Sequence, residues 1–220
     1  LLGAAAGQGK NILFEAQLGA LRDIDYGIYP FTSSSNTIAS YAPIGAGIPG
    51  CALDNVVGVM KAYSTCVGEG PFVAETAMGE AWNEKLRESG GEFGAATGRP
   101  RRVGPFDAVA SRYGIRCQKA QDIALTKLDV LGAFDKIPVI TGYRLHGVLL
   151  DSFPTDSRLE EAEPVIEELP GWECDISGCR SWKDLPENAR KYVCTLEKLV
   201  DHPIYLVSTG AERDAYLLRE

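Results

Sequence analysis

Short apolar runs, separated by polar or glycine-containing segments, recur along the chain. Runs of this length with β-branched or aromatic side chains are typical of buried strands. They predict strands at 12–14, 56–63, 123–126, 139–143, 148–153 and 204–208. Between the fourth and fifth of these runs, His146-Gly147 predicts the turn of a β-hairpin.

Three further segments carry helix signals, and they predict helices at 76–88, 107–116 and 185–200. The first segment is followed by two glycines, which are common at helix ends. Asp107 is the expected N-cap of the second. Asp184 is the expected N-cap of the third, with Glu187 completing an acidic capping box. The third helix has one apolar face, formed by Val193, Leu196 and Val200.

Apolar strands that alternate with helices predict an α/β fold with a mixed, partly parallel central sheet and flanking helices. We expect residues 1–220 to form part of a single domain. The chain has no initiator Met and opens with LLGAAAGQGK, which is typical of a helix end and a tight turn before a buried strand at 11–15. A start within a helix predicts a piece of a longer protein. Two long glycine-rich loops, 16–50 and 90–105, are expected to be functional.

Composition narrows the possible functions. The formal net charge is -8 and the sequence pI about 4.9, which disfavours a nucleic-acid binder. The six cysteines form no CxxC pair, so no metal site is expected, and scattered thiols favour the reducing cytoplasm. No apolar run is long enough to predict a membrane span.

The segment TKLD, 126–129, follows an apolar run at the expected carboxyl end of a strand, where α/β sheets bind ligands. Guanine presents a ring N–H and an exocyclic amine side by side, and one carboxylate accepts both. Asp129 could therefore recognise guanine while the stem of Lys127 covers the base. A solvated turn after a strand is the alternative, because lysine and aspartate are common there.

The loop GGEFGAATGRPRR, 90–102, combines four glycines with three arginines. Glycines let the backbone approach a ligand and turn its N–H groups inward. Guanidinium groups suit carboxylates and phosphates. The pattern favours an anion site over a mobile, solubilising surface loop.

The segment DIDYGIYPFTSSSNT, 23–37, is rich in hydroxyl groups. Such a segment can donate hydrogen bonds to a phosphate or base, or it can satisfy its own backbone. GAAAGQGK, 3–10, is similar to a phosphate-binding loop, but its spacing is wrong and its glycines precede a strand. We interpret it as a helix stop and turn.

In order along the whole chain, these segments resemble the adenylosuccinate synthetase family. The matching segments include LFEAQLGALRDIDYGIYPFTSSSNT, KAYSTCVGEGPFVAET, GEFGAATGRPRR, ALTKLDVL, LPGWECDISG, DLPENARKYV and STGAERD. The resemblance implies the family's fold, which is similar to that of P-loop nucleotide hydrolases, incomplete here at the amino terminus. It implies the carboxy-terminal half of an enzyme that joins IMP to L-aspartate at the expense of GTP.

The resemblance also implies roles for single residues. The implied IMP contacts are Gln17, Ser33, Val67 and Arg99. The implied aspartate contacts are Ala95, Ala96, Thr97, Gly98, Arg99 and Arg101. The implied GTP contacts are Arg101, Lys127, Leu128, Asp129, Ser208, Thr209 and Gly210. Arg99 and Arg101 are expected to support transition-state charge.

Three departures from the family pattern stand out. The sequence AQLG replaces GAQG, so that strict alignment places Leu18 at the glutamine position, and we assign the role to Gln17. Ala96 replaces a threonine, and Ala211 replaces a proline. The phosphate loop, the catalytic aspartate and histidine and the Mg²⁺ ligands are expected outside this chain, which alone should not turn over. The resemblance implies a homodimer for the full-length parent.

One other function class stays open, a non-catalytic purine-nucleotide binder that lost the catalytic half. A conventional GTPase module, suggested by TKLD alone, fails because no phosphate loop precedes that motif and the arginine loop would have no role.

Overall fold

A computed structural model describes residues 1–219, which form two sheets, a strand pair and six α-helices within that range. The helices are α1 (Leu2–Gly7), α2 (Ala42–Gly45), α3 (Val73–Thr76), α4 (Glu80–Gly90), α5 (Ala108–Gln118) and α6 (Glu187–Val200). The strands are β1 (Val57–Lys61), β2 (Ser64–Cys66), β3 (Arg102–Gly104), β4 (Phe106–Asp107), β5 (Asp122–Thr126), β6 (Lys136–Leu145), β7 (Val148–Leu149), β8 (Glu163–Pro170), β9 (Ile204–Ser208) and β10 (Tyr216–Leu218).

The central sheet has the strand order β1-β5-β9-β10. Its first three strands are parallel, and β10 is antiparallel to β9. In the second sheet β6 pairs with β4 in parallel and with β7 and β8 in antiparallel fashion. β2 and β3 form a separate antiparallel pair. The predicted mixed, partly parallel α/β architecture is confirmed.

The main core lies between the central sheet and its helices. α6 buries a face at helical spacing against it, formed by Ala189, Tyr192, Val193, Leu196 and Val200. Ile123 and Leu125 of β5 and Val207 of β9 face the same core. Because β5 is flanked by parallel strands on both sides, its apolar run is continuous, as expected for a buried parallel strand.

Most of the predicted strands are present. The runs at 56–63, 123–126, 139–143 and 204–208 correspond to β1, β5, β6 and β9. The hairpin turn at His146-Gly147 is confirmed, with φ of 50° and 82° at the two residues. Only Val148–Leu149 of the run at 148–153 is a strand.

The predicted strand at 11–15 is wrong. Residues 8–19 have no regular structure, and the side chain of Leu13 is 94% exposed. A strand needs a partner for its backbone groups, and no neighbouring strand within residues 1–219 pairs with this segment. The helix end and turn ahead of it are confirmed as α1 and the left-handed Gly9.

All three predicted helices form, and two of them, α4 and α6, begin later than predicted. α5 begins as expected, because the Asp107 carboxylate accepts the N–H groups of Val109 and Ala110. α4 begins at Glu80, since the separate turn α3 occupies the preceding residues.

The expected capping of α6 is wrong. Pro186 occupies its N-cap position, and Asp184 turns back to accept the backbone N–H groups of Arg180 and Ser181 at 3.2 and 2.9 Å. Asp184 and Ser181 form the capping box of the short turn before α6. Glu187 pairs with Lys191 at 2.6 Å instead of completing a box.

Candidate functional site

The carboxyl ends of three neighbouring parallel strands meet at one edge of the central sheet. β5 ends at Thr126, and β1 ends beside it because Lys61 pairs in register with Thr126. β9 ends at Ser208 on the other side of β5, one residue beyond the paired Leu125 and Val207. TKLD and the segment Ser208–Gly210 therefore leave the sheet side by side. This is the edge at which open α/β sheets bind ligands.

TKLD is held in an unusual backbone conformation. Lys127 has φ of 64°, a left-handed value that is uncommon for a residue with a side chain. Its ammonium group donates to the carbonyl of Gly90 at 2.7 Å. Leu128 is buried, whereas the carboxylate of Asp129 is half-buried and receives no hydrogen bond from residues 1–219. Residues held in sparsely populated conformations cluster at functional sites.

The segment Ser208–Gly210 uses its hydroxyl groups internally. Thr209 is buried and donates from Oγ1 to the carbonyl of Cys179 at 3.1 Å. Ser208 Oγ donates to the Gly210 carbonyl at 2.9 Å. Both side chains fix the shape of the turn, so any contact to a ligand would come from its backbone.

The arginine loop is a compact exposed turn. The N–H of Gly94 donates to the Arg99 carbonyl, and the N–H of Gly98 donates to the Gly94 carbonyl, both at 2.8 Å. Residues 95–99 are all exposed, and Thr97 Oγ1 accepts the Arg99 N–H at 3.3 Å. Within residues 1–219 the Arg99 guanidinium has no ion-pair partner. The loop thus presents one free cation at its tip.

The other two arginines of this loop are engaged by the protein. Arg102 forms an ion pair with Glu75 at 2.6 Å and donates to the carbonyls of Gly68 and Gly70. It serves to join β3 to the loop before α3. Arg101 donates from Nη1 to Glu92 Oε2 at 2.8 Å.

Glu92, which the sequence analysis did not single out, is the centre of this region. Its side chain is buried and accepts three hydrogen bonds. Oε1 accepts from Lys61 at 2.7 Å and Tyr63 at 2.6 Å, and Oε2 accepts from Arg101. Burial alone would raise the pKa of Glu92, but these hydrogen bonds outweigh burial and lower the pKa below its usual value. Glu92 is therefore a carboxylate near neutral pH.

The sheet edge carries excess positive charge. Burial lowers the pKa of Lys61, and the positive charges of Arg101 and Lys127 act in the same direction, against the attraction of Glu92. Lys61 and Arg101 contact the buried Glu92, Lys127 lies nearby on the Gly90 carbonyl, and Asp129 adds a second carboxylate, so the cations exceed the carboxylates by one. In a chain of net charge -8, this local excess suits an anionic ligand such as a phosphate.

Two of the four residues implied to contact IMP, Ser33 and Val67, lie on separate segments that one side chain joins. Arg22 connects Ser33 and Val67, because its carbonyl accepts the Ser33 N–H at 2.8 Å and its guanidinium donates to the Val67 carbonyl at 2.9 Å. Arg22 also donates to the carbonyls of Phe31 and Glu69. The Ser33 hydroxyl pairs within its own turn with Ser35. The sequence analysis missed Arg22, since no local pattern marks it.

Gln17 lies apart from that pair, on the wall of a cavity of about 1080 Å³. The cavity runs along β1, and its wall includes Val59, Lys61, Tyr63 and Asp107. Leu18, which follows Gln17, has φ of 75°. TKLD and the arginine loop do not line this cavity, but Lys61 and Tyr63, which donate to Glu92, do, so the cavity reaches the charged edge from the side of β1.

Two kinds of feature are absent from the described part of the chain. No cluster of three or more His, Cys, Asp or Glu side chains within 1–219 is arranged to hold a metal ion. Over the same residues, every helix is too short or too polar to cross a membrane.

The fold and this edge define a mixed α/β protein whose ligand site is expected at the carboxyl ends of its parallel strands. The family described as adenylosuccinate synthetase matches residues 1–217, and the chain belongs to this family. It is 50% identical over 219 residues to the adenylosuccinate synthetase of Trichlorobacter lovleyi, covering 99% of this chain and 50% of that protein. The enzyme of Pelobacter propionicus is 49% identical over 211 residues, covering 96% and 49%.

A solved structure of fully ligated adenylosuccinate synthetase from Plasmodium falciparum superposes with a TM-score of 0.93 at 36% identity. It covers 100% of this chain and 52% of its own. Succinoaminodeoxyadenylate synthetase of cyanophage S-2L, with a TM-score of 0.59 and 14% identity, shares the fold. This chain spans about half the length of the curated relatives it matches.

Proposed function

We propose that this chain forms the base-binding and anion-binding half of an adenylosuccinate synthetase. The parent reaction is the GTP-dependent ligation of IMP and L-aspartate. GTP transfers its terminal phosphoryl group to the 6-oxygen of IMP, and the aspartate amine then displaces phosphate to form adenylosuccinate. The observation that carries the proposal is the meeting of Asp129, Lys127 and Ser208–Gly210 at one sheet edge beside Arg101.

The proposed division of roles follows from the state of each group. Asp129 has a free carboxylate for the two adjacent guanine donors. The backbone of Ser208–Gly210 would close over the base. Arg99, exposed at the loop tip, would bind the aspartate substrate and face IMP, and Arg101 would face GTP. Both arginines would stabilise the negative charge that develops during transfer.

Ser33 and Val67, which Arg22 joins, would contact IMP through the Ser33 side chain and the Val67 backbone. Gln17 would approach IMP from the cavity wall. The resemblance implies that Mg²⁺ would be held by groups outside this chain. A homodimer in the cytoplasm is part of the same proposal.

A second candidate is a non-catalytic guanine-nucleotide binder. It rests on the Asp129 carboxylate at the sheet edge, which could accept the two guanine donors without any catalytic group. The two candidates share the guanine site and differ in whether a complementary half restores turnover.

The guanine site is tested by titrating the purified chain with GTP, ITP and ATP. ITP lacks the exocyclic amine, and a hydrogen bond to a charged group contributes roughly 1.5–3 kcal/mol, so we expect GTP to bind at least about 10-fold more tightly than ITP. Asp129→Asn should remove this preference, while Asp156→Asn, at an exposed carboxylate paired with Arg158, should preserve it. Equal affinity of the unsubstituted chain for GTP and ATP would exclude guanine recognition.

A further inference from the structure

Glu92 is a fully buried carboxylate to which the proposed function assigns no ligand. Its relative exposure is 0%, and its two oxygens accept three hydrogen bonds from Lys61, Tyr63 and Arg101. Removing a carboxylate from water is costly, and replacing a buried ion pair by apolar groups is often neutral or stabilising. A buried carboxylate with three donors is therefore poorly explained by stability alone.

Glu92 holds Arg101 by both its side chain and its backbone. Beside the ion pair at 2.8 Å, the Arg101 N–H donates to the Glu92 carbonyl at 2.9 Å. The Glu92 N–H in turn donates to the carbonyl of Arg87 in the last turn of α4 at 2.8 Å. The base of the arginine loop is thus fixed to the end of α4, and only its tip is free.

The same carboxylate ties the loop to the central sheet. Lys61 is the last residue of β1, and Tyr63 follows two positions later. Gly90 fits between them and the helix end because a Cβ there would lie 2.4 Å from the Tyr63 hydroxyl. The Gly90 carbonyl accepts the Lys127 ammonium. One chain of contacts therefore runs from Arg101 through Glu92 and the helix end to Lys127.

We propose that Glu92 is a positioning residue that fixes Arg101 and holds the arginine loop against the sheet edge. The anion-binding loop and the base-binding residues Lys127 and Asp129 therefore keep one relative geometry. The proposal rests on the proposed function for the identity of the ligand. Its structural part stands on the contacts of Glu92 alone.

The first test is a double-mutant cycle on GTP affinity. Glu92→Gln keeps an oxygen for Lys61 and Tyr63 but turns an amide N–H₂ group toward Arg101, which would release the guanidinium. We expect GTP affinity to fall about 10-fold in Glu92→Gln and in Arg101→Gln, and to fall no further in the double variant. If the two losses multiply, Glu92 does not act through Arg101, and the proposal is overturned.

The second test needs no ligand and separates this proposal from the guanine site. Amide hydrogen exchange should become about 10-fold faster at Gly94, Gly98 and Arg101 in Glu92→Gln, with the amides of β6 unchanged. Glu168→Gln, which removes an exposed pair with Lys136, serves as the matched control and should leave the loop unchanged. A uniform increase, or no increase, would mean that Glu92 does not hold the loop.

Tyr63→Phe provides a milder variant in case Glu92→Gln fails to fold. It removes one donor while the ion pairs with Lys61 and Arg101 remain. We expect a smaller acceleration of exchange confined to the same three amides. If GTP fails to bind the unsubstituted chain, the proposed function falls, and the exchange data still decide the role of Glu92.

Discussion

At the scale of single residues, two buried carboxylates respond to burial in opposite ways. Glu92 is surrounded by Lys61 and Arg101, and its pKa is lowered. Asp107 is equally buried but has no cation in direct contact. Burial raises its pKa to about 6, although hydrogen bonds from Tyr143 and from the Val109 and Ala110 N–H groups oppose the change. The charged donors around Glu92 outweigh its burial, whereas the neutral donors around Asp107 do not.

Asp107 predicts a pH-dependent stability. Its folded pKa of about 6 lies above the ordinary value of 3.8, so its protonated form is favoured by folding. Its contribution to the free energy of unfolding is therefore greatest at low pH and is lost as pH rises from about 4 to about 6. Relative to Asp107→Asn, which also suits an N-cap, the unsubstituted chain should lose about 2 kcal/mol between pH 4 and pH 7.

Urea unfolding at a series of pH values measures this difference. As the pH rises from 4 to about 6, the free energy of unfolding of the unsubstituted chain should fall relative to that of Asp107→Asn. Above that range the difference between the two should stay constant. Curves that stay parallel over the whole range would show that Asp107 titrates alike in the folded and unfolded chains.

Local sequence was sufficient for some site residues and not for others. Lys127 and Asp129 were predicted because a short motif follows an apolar strand, and the sheet places them at its edge. Glu92 was missed because its partner Lys61 lies 31 positions away, and no periodicity connects the two. Arg22 joins segments up to 47 positions distant for the same reason.

At the scale of elements, the end of α4 packs closely against Tyr63 and Glu92. Gly91 adopts φ of 60° and ends the helix, while Gly90 faces the Tyr63 hydroxyl. Gly90→Ala should destabilise the chain by about 1–3 kcal/mol, because the added methyl group must displace Tyr63 from Glu92. Chemical denaturation gives the cost.

A second variant separates this clash from the general effect of alanine in a helix. In a Tyr63→Phe background the hydroxyl is absent, so Gly90→Ala should cost clearly less. Helix propensity alone would make Gly90→Ala stabilising, because alanine is favoured over glycine inside helices. A loss of stability would therefore come from the clash with Tyr63. Equal costs in both backgrounds would place the strain elsewhere.

A partner within the chain is necessary for a strand but did not make every strand predictable: β8, which pairs with β6, was missed because glutamates interrupt its apolar residues. β5 and β9 pair with each other in parallel, and both runs were identified from their apolar residues. The segment 11–15 has a similar apolar run but no partner among the described residues, and it forms no strand. The predicted N-cap of α6 was wrong because Asp184 accepts N–H groups from the turn before the helix. The local backbone geometry decides which N–H groups a carboxylate accepts, and residue types alone do not reveal it.

At the scale of the whole molecule, β1 is an unpaired edge. Within residues 1–219 it pairs only with β5, and Val57 and Val59 are 42% and 70% exposed along the cavity. Unpaired apolar edges promote association. We expect the isolated chain to aggregate as its concentration rises, as measured by light scattering, and to remain monomeric only in dilute solution, where its equilibrium unfolding can be followed.

A substitution on β1 tests whether this edge causes the aggregation. Val59→Lys should reduce aggregation several-fold with little change in the free energy of unfolding, because the side chain is already mostly exposed. Thr155→Lys, at an exposed loop position outside the cavity, serves as the control of added charge. An unsubstituted chain that stays monomeric as its concentration rises would contradict this account of the edge.

The most direct measurement is adenylosuccinate formation with GTP, IMP, L-aspartate and Mg²⁺ by this chain alone and by this chain mixed with the complementary half of the Trichlorobacter lovleyi relative. We expect turnover only in the mixture, and a strong loss of turnover when the chain carries Asp129→Asn. Turnover by the chain alone would contradict the proposed division of roles, because the catalytic groups would then have to lie within these residues.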